Sequence, residues 1–374
     1  MTTPNKVVVA MSGGVDSSVT AALLVSQGYQ VTGMMMRLWN EPGRAAFNRC
    51  CTPASMAQAR QVAAQLDIPF YAVDAQDIFH ETVVSYFIDG YTQGSTPNPC
   101  LACNRHIRWE FLLHKALLLG ADYMATGHYA RVLHNTDQPT KLLRAHDQSK
   151  DQSYVLSVLR QDQLQHALFP LGDYTKTEVR KLAEDFGLPV AHTKDSQDLC
   201  FLAGTDYASF LRRNAPQVQN PGLIISSSGQ VLGEHRGLAF YTQGQRKGLE
   251  LASSVPIYVI EKDIANNTLI VGPLEELGNN QLIASNLNWV SGSTPDSPFR
   301  SQVKIRYKSN DHAGLVTPRG EQAHILFDQP LRDITPGQAA VFYAGEEVIG
   351  SGIIQQPGST SKSQVPRQHI EFAQ

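Results

Sequence analysis

The residues with the clearest chemical potential lie near the start of the chain. The apolar run Lys6–Met11 leads into Ser12-Gly13-Gly14-Val15-Asp16-Ser17-Ser18, and an apolar stretch, Val19–Val25, follows before Gly28. Two adjacent glycines let backbone N–H groups turn inward and approach an anion without a Cβ in the way. A helix starting immediately afterwards adds unpaired donors and the positive end of its dipole, and Ser12 and Ser17 add hydroxyls. This is a phosphate loop. It lacks Gly-Lys-Ser/Thr, so it is not a Walker A loop, and its spacing is not G-x-G-x-x-G. The second candidate chemistry is that of sulfur. Cys100 and Cys103 form a C-x-x-C behind Pro97-Asn98-Pro99, and Cys200 stands between Leu199 and Phe201. Arg105 and His106 predict an accessible, electropositive Cys103 thiolate, whereas the flanks of Cys200 read locally as those of a buried apolar cysteine.

These groups need a scaffold, and the composition allows one. The chain has 374 residues, 42% hydrophobic and 17% charged, which excludes wholesale disorder and predicts two or three domains. The formal charge of −3 gives no global basic excess, so an RNA partner would need local patches. The first ten residues lack a signal-peptide core and no run is long enough to span a membrane. Five cysteines, an odd number, do not make a disulfide framework. The expected compartment is the reducing cytoplasm, where any disulfide would be transient and catalytic.

Along the chain, Val31–Met36 and Phe70–Val73 read as strands. Helices are predicted from Pro53 to Leu66, near His106–Leu119 and near Lys176–Phe186. Strand–helix alternation predicts an α/β domain, residues 1–212, with a parallel Rossmann-like sheet covered on both faces. Past Asn214 the punctuation by Pro and Gly predicts two small β-rich domains, 213–282 and 283–356, the second a β-barrel, with a polar frayed tail at 357–374. Within the last domain Val303, Ile305 and Tyr307 alternate with Lys304, Arg306 and Lys308. On a strand the three cations would project together, either along a phosphate backbone or as a solvated edge.

The Ser12–Ser17 loop resembles the signature loop of the ATP pyrophosphatases, which split ATP into AMP and pyrophosphate while adenylating an acceptor oxygen. Six motifs then appear in order: Met11–Ser17, Pro97–Asn104 (PNPCLACN), Gly127–Arg131 (GHYAR), Lys150–Tyr154 (KDQSY), Lys194–Phe201 (KDSQDLCF) and Gly244–Leu249 (GQRKGL). Together they resemble the tRNA-specific 2-thiouridylases, which place sulfur on C2 of the wobble uridine. The resemblance implies an ATP site at Ala10, Met11, Ser12, Gly13, Gly14, Val15, Asp16, Ser17, Met36 and Gly127, with Asp16 helping to hold a Mg2+–pyrophosphate unit. It implies that Cys200 carries a persulfide delivered by a sulfur-relay protein or cysteine desulfurase. Cys103 would then close a disulfide with Cys200 during turnover, to be reopened by a cellular thiol reductant. It places Asn98, Pro99 and Cys100 against the flipped base of the tRNA. It gives further tRNA contacts to His128, Lys150, Asp151, Gln152, Arg306, Tyr307 and Gln338. Asp151 cannot attract a phosphate, so it orders its loop or accepts from a base edge.

Two positions need separate treatment. Cys100 stands where many members carry Asp and others carry Cys, so Cys100, Cys103 and Cys200 could instead supply three thiolates to an iron–sulfur cluster. A structural zinc site is disfavoured because there is only one C-x-x-C. The doublet Cys50-Cys51 matches the family, but Ala54, Met56 and Gln58 replace the acidic residues that usually follow it. Two readings of other classes remain: an ATP-pyrophosphatase amide ligase using ammonia, which would not need Cys103 and Cys200, and a non-catalytic RNA-binding protein.

Overall fold

The computed structural model describes residues 5–44, 52–193, 199–202 and 204–356. Cys50, Cys51, Lys194–Asp198 of the KDSQDLCF motif and the 357–374 tail lie outside the described residues.

Val7, Val8 and Val9 are all buried, a continuous apolar run rather than an alternation, as befits a strand covered on both faces. Each such side chain contributes roughly 1.5–3 kcal/mol by leaving water. They form β1 (Lys6–Ala10), the middle of a parallel sheet. The strands that follow in the chain are β2 (Gln30–Arg37), β3 (Phe70–Asp74), β4 (Tyr123–Ala125), β5 (Arg131–Leu133), β6 (Lys141–Leu143) and β7 (Ala167–Leu168). The sheet order is β3-β2-β1-β4-β7, so the chain's direction of travel reverses between β1 and β4. In open parallel sheets that switch point, at the carboxyl ends of the strands, is where ligands bind. The phosphate loop leaves β1 there, and Thr126-Gly127 leaves β4 beside it.

Helix α1 (Val15–Ser26) packs on this sheet with Val15, Val19, Leu23 and Leu24 buried. Helix α2 (Pro53–Gln65) starts with Thr52 as N-cap, its side chain accepting from the Ser55 N–H at 3.0 Å, and proline in the first turn. A longer helical segment begins at Pro99 and passes through a π-helical stretch, Cys103–Leu112, before ending at Leu118. The helix expected near His106–Leu119 therefore starts earlier, because Asn98 caps it and Pro99 opens it.

The small central unit is a four-stranded sheet ordered β10-β11-β8-β9, from β8 (Gly222–Ser226), β9 (Val231–His235), β10 (Tyr258–Asp263) and β11 (Thr268–Gly272). The last unit comprises β12 (Asn279–Trp289), β13 (Phe299–Lys304), β14 (His312–Arg319), β15 (Gln322–Leu331), β16 (Ala339–Ala344) and β17 (Glu347–Ile354). Its first half of β12 pairs with β15 and its second half with β17, which closes a six-stranded barrel. A bulge and the positive φ of 50° at Asn286 turn β12 from one partner to the other.

Two findings differ from the sequence expectation. The hairpin β5–β6, within the α/β span, does not join the parallel sheet but pairs β6 with β17 and extends the barrel's sheet. The cationic ladder does not form either. Strand β13 ends at Lys304, and the chain turns at Arg306, whose carbonyl accepts the Ser309 N–H at 3.1 Å. Val303 and Ile305 are buried as the alternation implies, but Lys304, Arg306 and Lys308 do not share one strand face.

Candidate active site

Gly13 has φ of 76°, and a Cβ there would lie 2.3 Å from the Ser55 carbonyl oxygen, so the loop is pressed against the first turn of α2. Gly14 is the N-cap of α1 and provides no side-chain cap. The first-turn N–H groups are thus left for an anion. Ser17 accepts from the Ser12 N–H at 3.1 Å, and the two hydroxyls lie 3.1 Å apart. Gly127 comes so close that a Cβ would sit 2.9 Å from the main chain of Asp16 and Ser17. Ala10 and Met11 end β1 beneath the loop, Met11 donating its N–H to the Met34 carbonyl at 2.8 Å. Met36, at the end of β2, is half-buried between two apolar clusters.

Asp16 is the loop's one carboxylate, and it is not isolated. Lys176 places Nζ 2.7 and 2.9 Å from its two oxygens, and the Tyr129 hydroxyl donates to Oδ1 at 2.9 Å. The sequence points to neither partner: Tyr129 lies inside the GHYAR motif, and Lys176 reads as an ordinary first-turn residue of a helix. The Thr-x-x-Glu signature of Thr175 and Glu178, which fixes that first turn, was the available signal. One carboxylate with the Ser12 and Ser17 hydroxyls is an oxygen-rich set suited to a hard cation held mainly by phosphates.

Two of the three candidate cysteines lie on one apolar cluster. Asn98 caps the Pro99 helix, its Oδ1 accepting the Cys100 N–H at 3.1 Å, which leaves Cys100 exposed. Cys103, one turn on, is buried at 7% exposure among Phe79, Phe87, Ile107 and Phe201. The accessible Cys103 read from its neighbours is therefore not observed: the helix turns that side chain inward, while burial of Arg105 lowers the pKa of its guanidinium. Cys200 is half-buried on the same cluster, not enclosed as its flanks suggested. All three are thiols. Positions 97 residues apart, Cys103 and Cys200, thus share one hydrophobic body with Met36 on its edge.

The other expected contact residues come from two units, the α/β unit and the barrel. Tyr307 is half-buried 6.1 Å from the Tyr154 ring, and burial raises its phenol pKa, with Asp151 and Cys100 as neighbouring charges. Gln152 accepts the Tyr129 N–H at 2.9 Å and also reaches Tyr307. Asp151 is buried, accepting from Ala145 N–H, Ser153 N–H and the Ser153 hydroxyl at 3.0, 3.2 and 2.8 Å. It orders its loop. Lys150 at the loop's edge is half-buried. Gln338 donates to the Thr96 carbonyl at 2.8 Å, docking the barrel onto the turn that precedes Asn98. Arg306 donates to the Gln243 carbonyl at 3.4 Å and to Thr335 Oγ1, joining barrel to central unit. His128 is buried with Nδ1 2.7 Å from Thr126 Oγ1, and burial, then Arg108, hold its pKa well below 6.5.

Comparison with known proteins bears on this arrangement. Residues 5–204 match a family model described as the tRNA methyl transferase HUP domain, 208–273 its PRC-barrel domain, and 279–354 an aminomethyltransferase beta-barrel domain. The tRNA-specific 2-thiouridylase MnmA of Magnetococcus marinus is 46% identical over 95% of this chain and 100% of its own length. The chain belongs to the tRNA-specific 2-thiouridylase family. A second relative, tRNA-specific 2-thiouridylase MnmA 1 of Caldanaerobacter subterraneus, is 47% identical over 94% of this chain and 98% of its own.

In this member of the 2-thiouridylase family the three-thiolate alternative meets a geometric objection. Among the described residues, no three His, Cys, Asp or Glu side chains converge in a way that could hold a metal ion. Cys100 faces solvent while Cys103 points into the apolar cluster, so the donor set for a cluster does not fit. Among the described residues no helix is long and apolar enough to cross a membrane.

Proposed function

We propose that this 2-thiouridylase family member is an ATP-dependent tRNA-uridine 2-sulfurtransferase working through a cysteine persulfide. The observation that carries the reading is that Cys103 and Cys200 lie on one apolar cluster, with Met36, which the family resemblance gives to the nucleotide site, packed against its edge. The phosphate loop lies at the sheet's switch point. Uridine O2 is a poor leaving group. Its attack on the α-phosphorus of ATP forms an O–P bond, expels pyrophosphate with the bridging electron pair, and turns O2 into part of AMP. Ala10–Ser17 and Gly127 bind the nucleotide, with Met36 beside the base. A Mg2+ ion, held by Asp16 and the phosphates, would supply charge neutralisation when bound.

The terminal sulfur of a Cys200 persulfide then attacks C2, and AMP departs with the former uridine oxygen. The Cys103 thiolate attacks Cys200 Sγ, breaking the bond to the transferred sulfur, whose electron pair stays on the nucleoside as 2-thiouridine. A Cys103–Cys200 disulfide is left, and a thiol reductant of the cytoplasm reopens it. Recharging needs a protein that donates persulfide sulfur. Asn98, Pro99 and Cys100 receive the unstacked anticodon base, as loop bases are extruded at low cost. Asp151 and Gln152 shape the wall that Tyr307 completes, Lys150 and Arg306 supply positive charge at its rim, Gln338 fixes the turn beneath it, and neutral His128 supports the floor.

The test is a pair of variants, Cys103→Ser and Cys200→Ser. Each is expected to abolish 2-thiouridine, read by mass spectrometry of digested tRNA, while tRNA-dependent release of pyrophosphate from ATP and the melting temperature persist. Undiminished 2-thiouridine in either variant would overturn the assigned roles and favour an amide ligase or another acceptor.

A further inference from the structure

Two cations at the junction of the three units lack a counter-charge. A small cavity there is lined by Thr96 of the α/β unit, Gln243, Glu261 and Lys262 of the central unit, and Thr335 and Pro336 of the barrel. Lys262 lies on β10 opposite the buried Leu269 of β11, so its stem runs along the core side of the central sheet. Its Nζ donates to the Tyr241 carbonyl at 3.0 Å, which satisfies one N–H and leaves the charge unbalanced. Burial pulls its pKa down to about 8, with no acidic neighbour opposing the shift. Arg306 stands beside the cavity and donates Nη2 to two of its lining residues, the Gln243 carbonyl at 3.4 Å and Thr335 Oγ1. Its Nε is buried without a partner, and its Nη1 makes no hydrogen bond among the described residues. Glu261 is exposed and, among the described residues, pairs with neither cation.

Sheltered charges are ordinarily paired, and an apolar side chain of similar volume would pack in their place at no loss of stability. Stability therefore does not account for these two cations, whereas an anion in the cavity does. A hydroxyl from each of two units stands by, Thr96 Oγ1 lying 3.4 Å from Thr242 Oγ1. The position of the cavity says which anion. The Thr96 N–H donates to the Pro336 carbonyl at 2.8 Å, and a Cβ on Gly337 would lie 2.9 Å from the main chain of Thr96. The cavity wall is thus the turn that runs on to Asn98, Pro99 and Cys100, and Arg306 adjoins Tyr307. A base extruded against those residues brings its flanking phosphodiesters with it.

We propose that Lys262 and Arg306 form a phosphodiester-binding site at the three-unit junction, which holds the RNA backbone beside the extruded base and brings the central unit into RNA recognition. Lys262 offers a non-bridging phosphate oxygen the N–H groups that Tyr241 leaves unused, and Arg306 offers Nη1. The phosphate supplies the counter-charge that the protein withholds, so the site is electrostatically complete only with RNA bound. The inference deepens the tRNA reading above and rests on it.

The test measures binding of an anticodon stem-loop RNA with an unmodified wobble uridine to the full chain, native and Lys262→Met, across a range of salt. Lys262→Met should weaken binding roughly tenfold at low salt and flatten the slope of log Kd against log salt by about 0.7–1, the loss of one phosphate contact. Its melting temperature should hold or rise, because an unbalanced charge is removed. A merely structural lysine would lower the melting temperature and leave the salt slope alone. Stem-loops with a single methylphosphonate at either linkage flanking the wobble uridine locate the contact. One of them should bind native protein more weakly, yet bind Lys262→Met no more weakly than unmodified RNA does. In native protein, where folding of a variant is not in question, the stem-loop should slow acylation of Lys262 by an amine-directed reagent, read by peptide mass. An unchanged salt slope in Lys262→Met, or Lys262 left unprotected by bound RNA, would overturn the proposal. Protection by inorganic phosphate but not by RNA would assign the cavity to a free anion and overturn it too. If native protein does not bind the stem-loop, the tRNA reading itself fails; if it binds and thiolates tRNA with Lys262 unprotected, this inference alone fails.

Discussion

Gly13 and Gly28 provide a matched pair for testing how the phosphate loop is held. Both adopt the left-handed backbone, with φ of 76° and 83°. An alanine in that region costs about 1–2 kcal/mol in either place. Their surroundings differ. A Cβ on Gly28 meets nothing within 4 Å, whereas on Gly13 it would stand 2.3 Å from the Ser55 carbonyl oxygen and 2.9 Å from its carbon. Ordinary contact begins near 3.4 Å, so the loop and the first turn of α2 must separate by about 1 Å. Ser55 resists this, because its N–H donates to Thr52 Oγ1 and its hydroxyl to the Thr52 carbonyl, both at 3.0 Å. Displacement of that size in a group positioning a substrate costs roughly 100-fold in rate. Gly28→Ala should therefore lower the melting temperature by about 2–8 °C, at roughly 2–4 °C per kcal/mol for a domain of this size, and leave the ATP kinetics alone. Gly13→Ala should show a similar or larger melting shift together with a loss of about 100-fold in kcat/KM for ATP, measured as tRNA-dependent AMP release. Equal ATP kinetics in the two variants would refute the claim that the Ser55 contact sets the loop.

Other parts of the structure make separate predictions. Arg213 donates Nε and Nη2 to the two oxygens of Glu41 at 2.6 and 2.9 Å, and this pairing, opposed by burial, depresses the Glu41 pKa. A depressed carboxylate stabilises above its unfolded pKa of about 4.3 and loses that contribution as pH falls through its folded value. Glu41→Gln should then cost roughly 1.5–3 kcal/mol at pH 7, and chemical denaturation should show the gap closing below about pH 4. Gln338→Ala removes the bond to the Thr96 carbonyl and should lower kcat/KM for tRNA by roughly 2–10-fold without altering ATP KM, following a net hydrogen-bond value of about 0.5–1.5 kcal/mol. His128, buried and with a lowered pKa, stays neutral while its unfolded counterpart protonates below about pH 6.5. Stability should fall as pH drops below that value, and melting scans of His128→Gln should show a shallower fall.

The sequence made some of this legible and hid the rest for identifiable reasons. The β1–loop–α1 unit is local: an apolar run, two glycines and a helix within about one turn of each other, so reading neighbours suffices. The same holds for α2, announced by Thr52 and Pro53. The hairpin β5–β6 could not be placed because its partner, β17, lies some 200 residues away, and pairing across such a distance leaves no local pattern. Alternation at Val303–Tyr307 misled for the opposite reason. The period of two is correct for β13, but it runs on into a turn closed by Ser309, where it has no structural meaning. The orientation of Cys103 is not legible locally either, since flanking charges describe a helix's sequence while its facing is set by Phe79, Phe87 and Phe201 from other segments. Lys176 carries no local signal because its partner, Asp16, lies 160 positions away and only the fold brings the two together.

The most direct test of the account is an anaerobic single-turnover experiment on metal-free protein whose Cys200 has been loaded with persulfide. Mg-ATP and unmodified tRNA are added, and the nucleosides and nucleotides are quantified by mass spectrometry. The account predicts up to one 2-thiouridine per persulfide, formed with an equal amount of AMP and leaving Cys103 and Cys200 in a disulfide. No 2-thiouridine until an iron–sulfur cluster and sulfide are supplied would contradict it.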